Sequence, residues 1–272
     1  MYIHDSHVHT KFSFDGATDG SGEISAILDA AIAAGIDEIS LTDHCDIDCV
    51  LDKIYPDFDA GIIRDEILFV REKYAGKIRV NFGVELGQAH ARPLEANALL
   101  DNMGYDFVID SLHNLRDYAD FSLLNLGKMC DRQIEYLIRR MLSETMEVVN
   151  FGRISTLAHI TYIQRYLTLG GKPFDYRPWR DDFAAIFRAL IDAGISLECN
   201  TSGLRRQSIT MPGYELFALY RECGGECITI GSDAHTARDV GANIEEAASA
   251  LRYMGFRAQT VVRDGKLTQI EL

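Results

Sequence analysis

No stretch of this 272-residue sequence stays apolar long enough to cross a bilayer, which takes about 18–20 consecutive apolar residues. The opening "MYIHDSHVHT" turns polar within four residues, so no secretion signal is expected there. Proline is scarce, at 5 residues, and no low-complexity tract or linker-like shift in composition marks a domain boundary. Basic residues are also few: 27 Lys and Arg stand against 41 Asp and Glu, for a net charge of -14. That balance disfavours sequence-independent nucleic-acid binding, which rests on cationic groups at phosphates, although it allows a local basic pocket. Six cysteines are present (Cys45, Cys49, Cys130, Cys199, Cys223 and Cys227), but none forms a C-x-x-C pair, and they read as free thiols. No G-x-G-x-x-G follows the first β-like run, which argues against a dinucleotide-binding open sheet. What remains is a cytoplasmic globular protein with no membrane or nucleic-acid partner. Its oligomeric state is left open.

Seven short β-like runs alternate with longer amphipathic segments. The strand candidates are 1–7, 36–44, 78–86, 105–113, 154–160, 195–202 and 227–235, each rich in Ile, Val, Leu or Phe, as strands buried on both faces require. The helix candidates are 22–35, 60–76, 92–104, 131–150, 177–194, 212–225 and 243–255, several stopped by a glycine. Seven consecutive β-then-α units imply parallel strands with helical crossovers. The expected fold is α/β: a distorted (β/α)7 barrel in a single domain, residues 1–272. A small closing β element covers 256–272, turning at Asp264-Gly265. Segments 46–58 and 114–130 are too polar or irregular for barrel helices and read as loops.

The chemistry collects where the strands end. Strand one ends at His7 and His9, strand two at Asp43-His44, strand three at Glu85, strand four at His113, strand five at His159, strand six at Glu198 and Asn200, and strand seven at Asp233 and His235. Six of the eight histidines occupy these ends. Parallel strands open all their C-terminal ends onto one face, where barrel enzymes carry function. Residues i and i+2 of a strand point the same way, so His7 and His9 can share one cation, as can Asp233 and His235. Neutral imidazoles and carboxylates suit borderline divalent metals, and this many donors exceeds what one ion needs. Asp43 reads as a cap, an orienter of His44 or a ligand; Glu198 reads as an interior ion-pair member or a site residue. His4 is expected to point away from the site or to pack at the barrel base. His90, just beyond Glu85, is within reach of a substrate.

The motifs "DSHVHTKFSFDG", "LTDHCD", "FGVELG", "SLHNL", "LAHITYIQRY", "LECNTSGLR" and "IGSDAHTARDVG" resemble, in order, those of the PHP (polymerase and histidinol phosphatase) superfamily, most of all its histidinol-phosphate phosphatase branch. The donor count argues for two or three divalent metal ions, and the resemblance implies a three-metal site, with zinc, iron or manganese. His7, His9, Glu85 and Asp233 would hold the first; Glu85, His113 and His159 the second; Asp15, His44 and His235 the third. It further implies hydrolysis of L-histidinol phosphate in histidine biosynthesis, by attack of a metal-bridging hydroxide, with Asp233 or a water near His235 protonating the leaving alcohol. Arg165 and Arg205 match phosphate-contacting arginines, with Ser202 and Gly203 beside them. Segment 165–180 resembles a lid, and Tyr162, Tyr166 and Trp179 could stack on an imidazole. Two rivals stand beside this reading. One is the same site acting on another small phosphomonoester, a nucleotide or a cyclic phosphodiester. The other is a non-catalytic, metal-stabilised scaffold, which has little use for a complete donor set.

Overall fold

The computed structural model of the protein describes residues 2–48, 58–263 and 265–272. Eight strands form the central sheet: β1 (His4–Val8), β2 (Glu38–Leu41), β3 (His44–Asp46), β4 (Arg79–Gly87), β5 (Phe107–Ser111), β6 (Thr156–Leu157), β7 (Ser196–Asn200) and β8 (Ile228–Gly231). They pair in the order β1-β2-β4-β5-β6-β7-β8, all parallel, and the short β3 continues beyond β2 to pair with the upper end of β4. The sheet closes where Val8 bridges Ala234: His9 N donates to Ala234 O and Asp233 N to His7 O, both at 2.8 Å. This is the distorted seven-stranded barrel that the alternating pattern predicts. A hairpin of β9 (Ala258–Arg263) and β10 (Lys266–Glu271) follows. The turn expected at Asp264-Gly265 includes Asp264, which lies outside the described residues. So does most of the 46–58 loop.

Helices α1 (Ile24–Ala33), α2 (Ala60–Lys73), α3 (Pro93–Met103), α4 (Asp131–Phe151), α5 (Tyr162–Leu169), α6 (Arg180–Ala193), α7 (Leu204–Gln207), α8 (Tyr214–Glu222) and α9 (Ile244–Tyr253) surround the barrel. The longest, α4, buries Leu137, Met141, Leu142, Val148 and Val149 along one stripe and ends at Gly152, whose φ of 75° suits a residue without a Cβ. Pro93 opens α3, where its missing N–H costs nothing. The sequence reading misses α5, an eight-residue helix whose buried apolar side chains are only Ile163 and Leu167. It also places all of 154–160 in a strand, whereas β6 has two residues. The ladder continues through Ser155 N to Val108 O and Ala158 N to Asp110 O. The chain then leaves at His159, which has a φ of 22°.

The lumen is layered. At the base, Val262 of the hairpin packs with Phe107, Ile109 and Ala158. Beside them His4 Nε2 sits 2.9 Å from Ser40 Oγ, so of the two expected placements His4 takes the one at the base. The register shift in β1 between Asp5 and Val8 lets His4 and His7, three residues apart, both face inward. Of the cysteines, Cys45, Cys130, Cys199, Cys223 and Cys227 are free thiols; Cys49 lies outside the described residues. Among those residues no helix is long and apolar enough to cross a membrane.

Candidate active site

Six imidazoles gather at the barrel mouth. His7 and His9 bring their Nε2 atoms to 3.0 Å. The His9 ring lies 4.2 Å from that of His44 and 4.1 Å from that of His235. Glu85 projects among them from β4. Its Oε2 lies 2.8 Å from His44 Nδ1, 3.3 Å from His7 Nε2 and 3.4 Å from His9 Nε2. Its Oε1 lies 3.0 Å from His159 Nε2 and 3.3 Å from His113 Nε2. Asp233 Oδ1 stands 3.4 Å from His9 Nε2, and Asp15 Oδ2 3.0 Å from His235 Nε2. Asp233 holds a left-handed φ of 53°, the kind of strained backbone found at functional sites.

Hydrogen bonding does not account for this cluster. Glu85 Oε2, His44 Nδ1, His159 Nδ1 and His235 Nε2 are buried without a hydrogen-bond partner, despite the short distances. Orphaned polar atoms of this kind are costly and uncommon. Imidazole nitrogens and carboxylate oxygens turned on common points fit divalent cations. Three groups of donors each lie within 4.8 Å of one another: His7, His9 and Glu85; His44, Glu85 and His113; His9, His44 and His235. His9, His44 and Glu85 thus each belong to two groups, where the resemblance shares Glu85 alone.

Burial works against charge throughout the cluster, and mutual attraction overrides it at several members. Burial would raise the Glu85 carboxyl, but His7, His44 and His113 hold it well below its ordinary range. Burial would lower His7 and His113. The carboxylates of Glu85 and Glu198 raise His7 well above its ordinary value, and those of Asp46 and Glu85 do the same for His113. His44 is brought up to about 9 against burial, chiefly by Glu85. His9 goes the other way: burial and the flanking His235 and His44 keep it neutral. Burial would also raise Asp233, yet His9, His7, His235 and Arg165 keep it ionised.

A second set of carboxylates backs the first. Glu198 Oε1 lies 2.7 Å from His7 Nδ1, and its Oε2 accepts from His159 N at 2.9 Å. Of the two roles left open for Glu198, it takes that of an interior partner. Asp43 accepts from Thr10 N (2.6 Å), Thr10 Oγ1 (2.8 Å) and Ser13 Oγ (2.8 Å). Ser13 Oγ in turn lies 3.0 Å from His9 Nδ1, so Asp43 acts through the 10–13 turn, not on the His44 ring. Asp46, which the sequence reading leaves in a loop, lies 2.9 Å from His113 Nδ1. Its one sequence signal is its place two residues after His44.

The mouth opens into a cavity of about 430 Å³. It is lined by the metal-type side chains Asp15, His44, His113, Asp233 and His235, by Arg165, Arg205, Ser202, Tyr162 and Tyr166, and by Phe14, Asp120, Ser122, Thr236 and Asp239. Arg165 Nη2 donates to Ser202 Oγ and stands 3.6 Å from Asp233 Oδ2, and its guanidinium lies over the Tyr162 ring. Arg205 donates to Ser232 O (2.7 Å) and Asp233 O (3.1 Å), bracing the strained turn. Two expected contacts are absent from this lining. His90 is buried 3.5 Å from Glu144 on α4, because the turn at 89–91 carries it behind the mouth. Gly203 opens α7, where a Cβ would meet Ile209 O at 2.3 Å; its bareness serves packing of that turn. Of the expected stacking residues, Tyr162 and Tyr166 line the cavity, whereas Trp179 packs under Arg139.

Comparison with known proteins bears on this arrangement. Residues 5–202 match the PHP domain. The chain belongs to the PHP domain family. A histidinol-phosphatase from Lactococcus lactis subsp. lactis is 27% identical over 262 residues, 93% of this chain and 91% of that protein. A Thermotoga maritima protein named as a probable histidinol-phosphatase is 28% identical over 262 residues, 96% of each. Among solved structures, histidinol phosphate phosphatase from Lactococcus lactis, crystallised with zinc, L-histidinol and phosphate, superposes with a TM-score of 0.80 at 25% identity over 98% of both chains. This PHP chain therefore shares its fold, over nearly its full length, with a metal-containing phosphatase.

Proposed function

We propose that this PHP chain is a metal-dependent phosphomonoesterase that hydrolyses L-histidinol phosphate to L-histidinol and phosphate, as a cytoplasmic enzyme of histidine biosynthesis. One observation carries the reading: the orphaned metal-type donors of His44 and His235 and two guanidiniums line a single cavity, in a chain similar throughout to a phosphatase that binds zinc, histidinol and phosphate. We read residues 1–272 as one catalytic domain, sealed at its base by the 256–272 hairpin.

His7, His9, Glu85 and Asp233, then His113 and His159, then Asp15, His44 and His235 would hold two or three divalent cations, zinc, iron or manganese. Such cations, when bound, supply charge neutralisation and an activated water. The side chains do the rest. Arg165 and Arg205 bind the phosphate oxygens, since a planar guanidinium matches their geometry and keeps its charge when buried. Ser202 Oγ, now shared between Asn200 Oδ1 and Asp233 Oδ2, can turn its hydrogen to a third oxygen. Asp233 Oδ2, beside Ser202 Oγ and Arg165 in the cavity, is placed to pass a proton from the attacking water to the leaving oxygen. The alternative carrier is a water near His235, which lines the same cavity.

The test is phosphate release from a panel of phosphomonoesters by metal-loaded protein. Dominant turnover of histidinol phosphate is expected. Comparable rates across the panel, or preference for a nucleotide, would replace the substrate; no release from any ester would restore the scaffold reading.

A further inference from the structure

We propose that Asp46 is a positioning residue for the metal centre, and that Gly87 is bare so that its carboxylate can reach His113. Asp46 lies on β3 and His113 just beyond β5; β4 runs between them. Asp46 pairs with Gly87 and Gly87 with Ser111, so the line from Asp46 to His113 crosses β4 at Gly87. A Cβ on Gly87 would fall 1.6 Å from Asp46 Oδ1 and 2.7 Å from its Cγ, so no other residue type leaves the crossing open. The carboxylate passes over and meets His113 Nδ1 at 2.9 Å. A carboxylate only accepts, so a ring hydrogen is held on Nδ1, and it is Nε2, 3.3 Å from Glu85 Oε1, that would give up its hydrogen for a cation bound between them. That is the tautomer and orientation a ligating imidazole needs, and a partner of this kind also raises its basicity.

The opposite side of the barrel repeats the device. Glu198 on β7 crosses β8 to His7 on β1, and a Cβ on Gly231 would fall 2.6 Å from Glu198 Oε1 and 2.5 Å from His7 Cβ. Two carboxylates thus reach imidazoles two strands away, each over a glycine of the strand between. In a barrel whose neighbouring strand-end positions are filled by ligand-type side chains, the crossing needs a gap, and glycine supplies it.

The inference rests on reading the cluster as a metal centre but not on the substrate. The test measures zinc and manganese affinity by competition with a chromophoric chelator in the full chain, wild type against Asp46→Ala, Asp46→Asn and Gly87→Ala. Asp46→Ala is expected to weaken one bound equivalent about 10–100-fold while the others hold. Asp46→Asn, which still offers an acceptor oxygen, should recover part of the loss. Gly87→Ala should reproduce the Asp46→Ala defect with Asp46 intact. Nitrogen-15 shifts of the His113 ring should show hydrogen on Nδ1 in wild type and a mixed tautomer in Asp46→Ala. Unchanged affinities with an unchanged tautomer would overturn the proposal. So would a loss spread evenly over all equivalents that tracks a fall in the Tm of the metal-free protein. Should Gly87→Ala fail to fold, the Asp46 pair decides alone. A failure to hydrolyse histidinol phosphate would leave these affinities, and this inference, untouched.

Discussion

The two ends of the barrel each bury a glutamate with histidine close by, and they settle the charge in opposite ways. At the base, Glu38 accepts from Tyr2 Oη (2.8 Å), Asn81 Nδ2 (2.7 Å) and both Arg263 nitrogens (2.9 and 2.6 Å). Burial would raise its carboxyl, but those partners hold it below its ordinary value. At the mouth, Glu85 faces five imidazoles, yet its Oε2 has no hydrogen-bond partner. A completed network stabilises a fold; an uncompleted one, at the strand C-termini, is aimed at something the chain must bind. Burial and residue type are alike at the two ends; the difference lies in the glutamates, both oxygens of Glu38 being bonded and Glu85 Oε2 not, although His4 Nδ1 at the base also lacks a partner.

The sharpest way to break this contrast is to exchange the consequences. Glu85→Gln should lower kcat/KM by about three orders of magnitude, the scale seen when a preorganised charged group is removed from a site. It should also reduce the zinc bound per chain while leaving the Tm of the metal-free protein nearly unchanged. Near wild-type turnover would remove Glu85 from the centre. Arg263→Ala should do the reverse. It strands the buried Glu38 charge and should cost about 3 kcal/mol in denaturant unfolding, with kcat/KM retained in the folded fraction. Lost turnover in a folded Arg263→Ala protein would show the two ends to be coupled.

Much of the mouth is legible in the sequence because a parallel barrel needs no long-range guess: every strand ends on one face, and His7, His9, Glu85, His113, His159, Asp233 and His235 all stand at strand ends. What a linear reading misses depends on neighbours in space. Asp46 looks like a loop residue because β3 exists only through its pairing with β4. Glu198 is ambiguous because its partner, His7, is 191 residues away. His90 looks close to Glu85, but the left-handed backbone at Gln88 (φ 56°) turns the chain behind the mouth before it. Glycines 87 and 231 read as ordinary strand residues until the side chains crossing them are seen.

A smaller effect divides the mouth itself. Arg165 is tied to the cavity by Ser202 and Asp233, not by the imidazoles. Arg165→Ala should therefore raise KM roughly 30-fold, the scale of a charged hydrogen bond to phosphate, with the same zinc content as wild type. An unchanged KM would take Arg165 out of the phosphate site, and lost zinc would place it in the metal centre instead.

The smallest effect lies at the base and is read by pH. Burial pushes His4 down to about 4 from its ordinary 6.5, with Glu38 opposing and Arg263 and Arg79 reinforcing the shift. The folded value is depressed, so between those two pH values the unfolded chain binds the extra proton. Stability from a neutral His4 is then present above about 6.5 and is lost as pH falls towards 4, by up to about 1.4 kcal/mol per pH unit. His7, His44 and His113 are shifted upward and contribute with the opposite sign at higher pH, so the comparison must be differential. Urea unfolding of metal-free wild type and His4→Gln from pH 7 to 5 isolates the one ring: the wild type should lose more stability on acidification than the variant. Parallel curves would mean that His4 takes up its proton inside the folded base. The base would then resemble the mouth, with a buried histidine held charged by a carboxylate, and satisfaction would no longer separate the two ends.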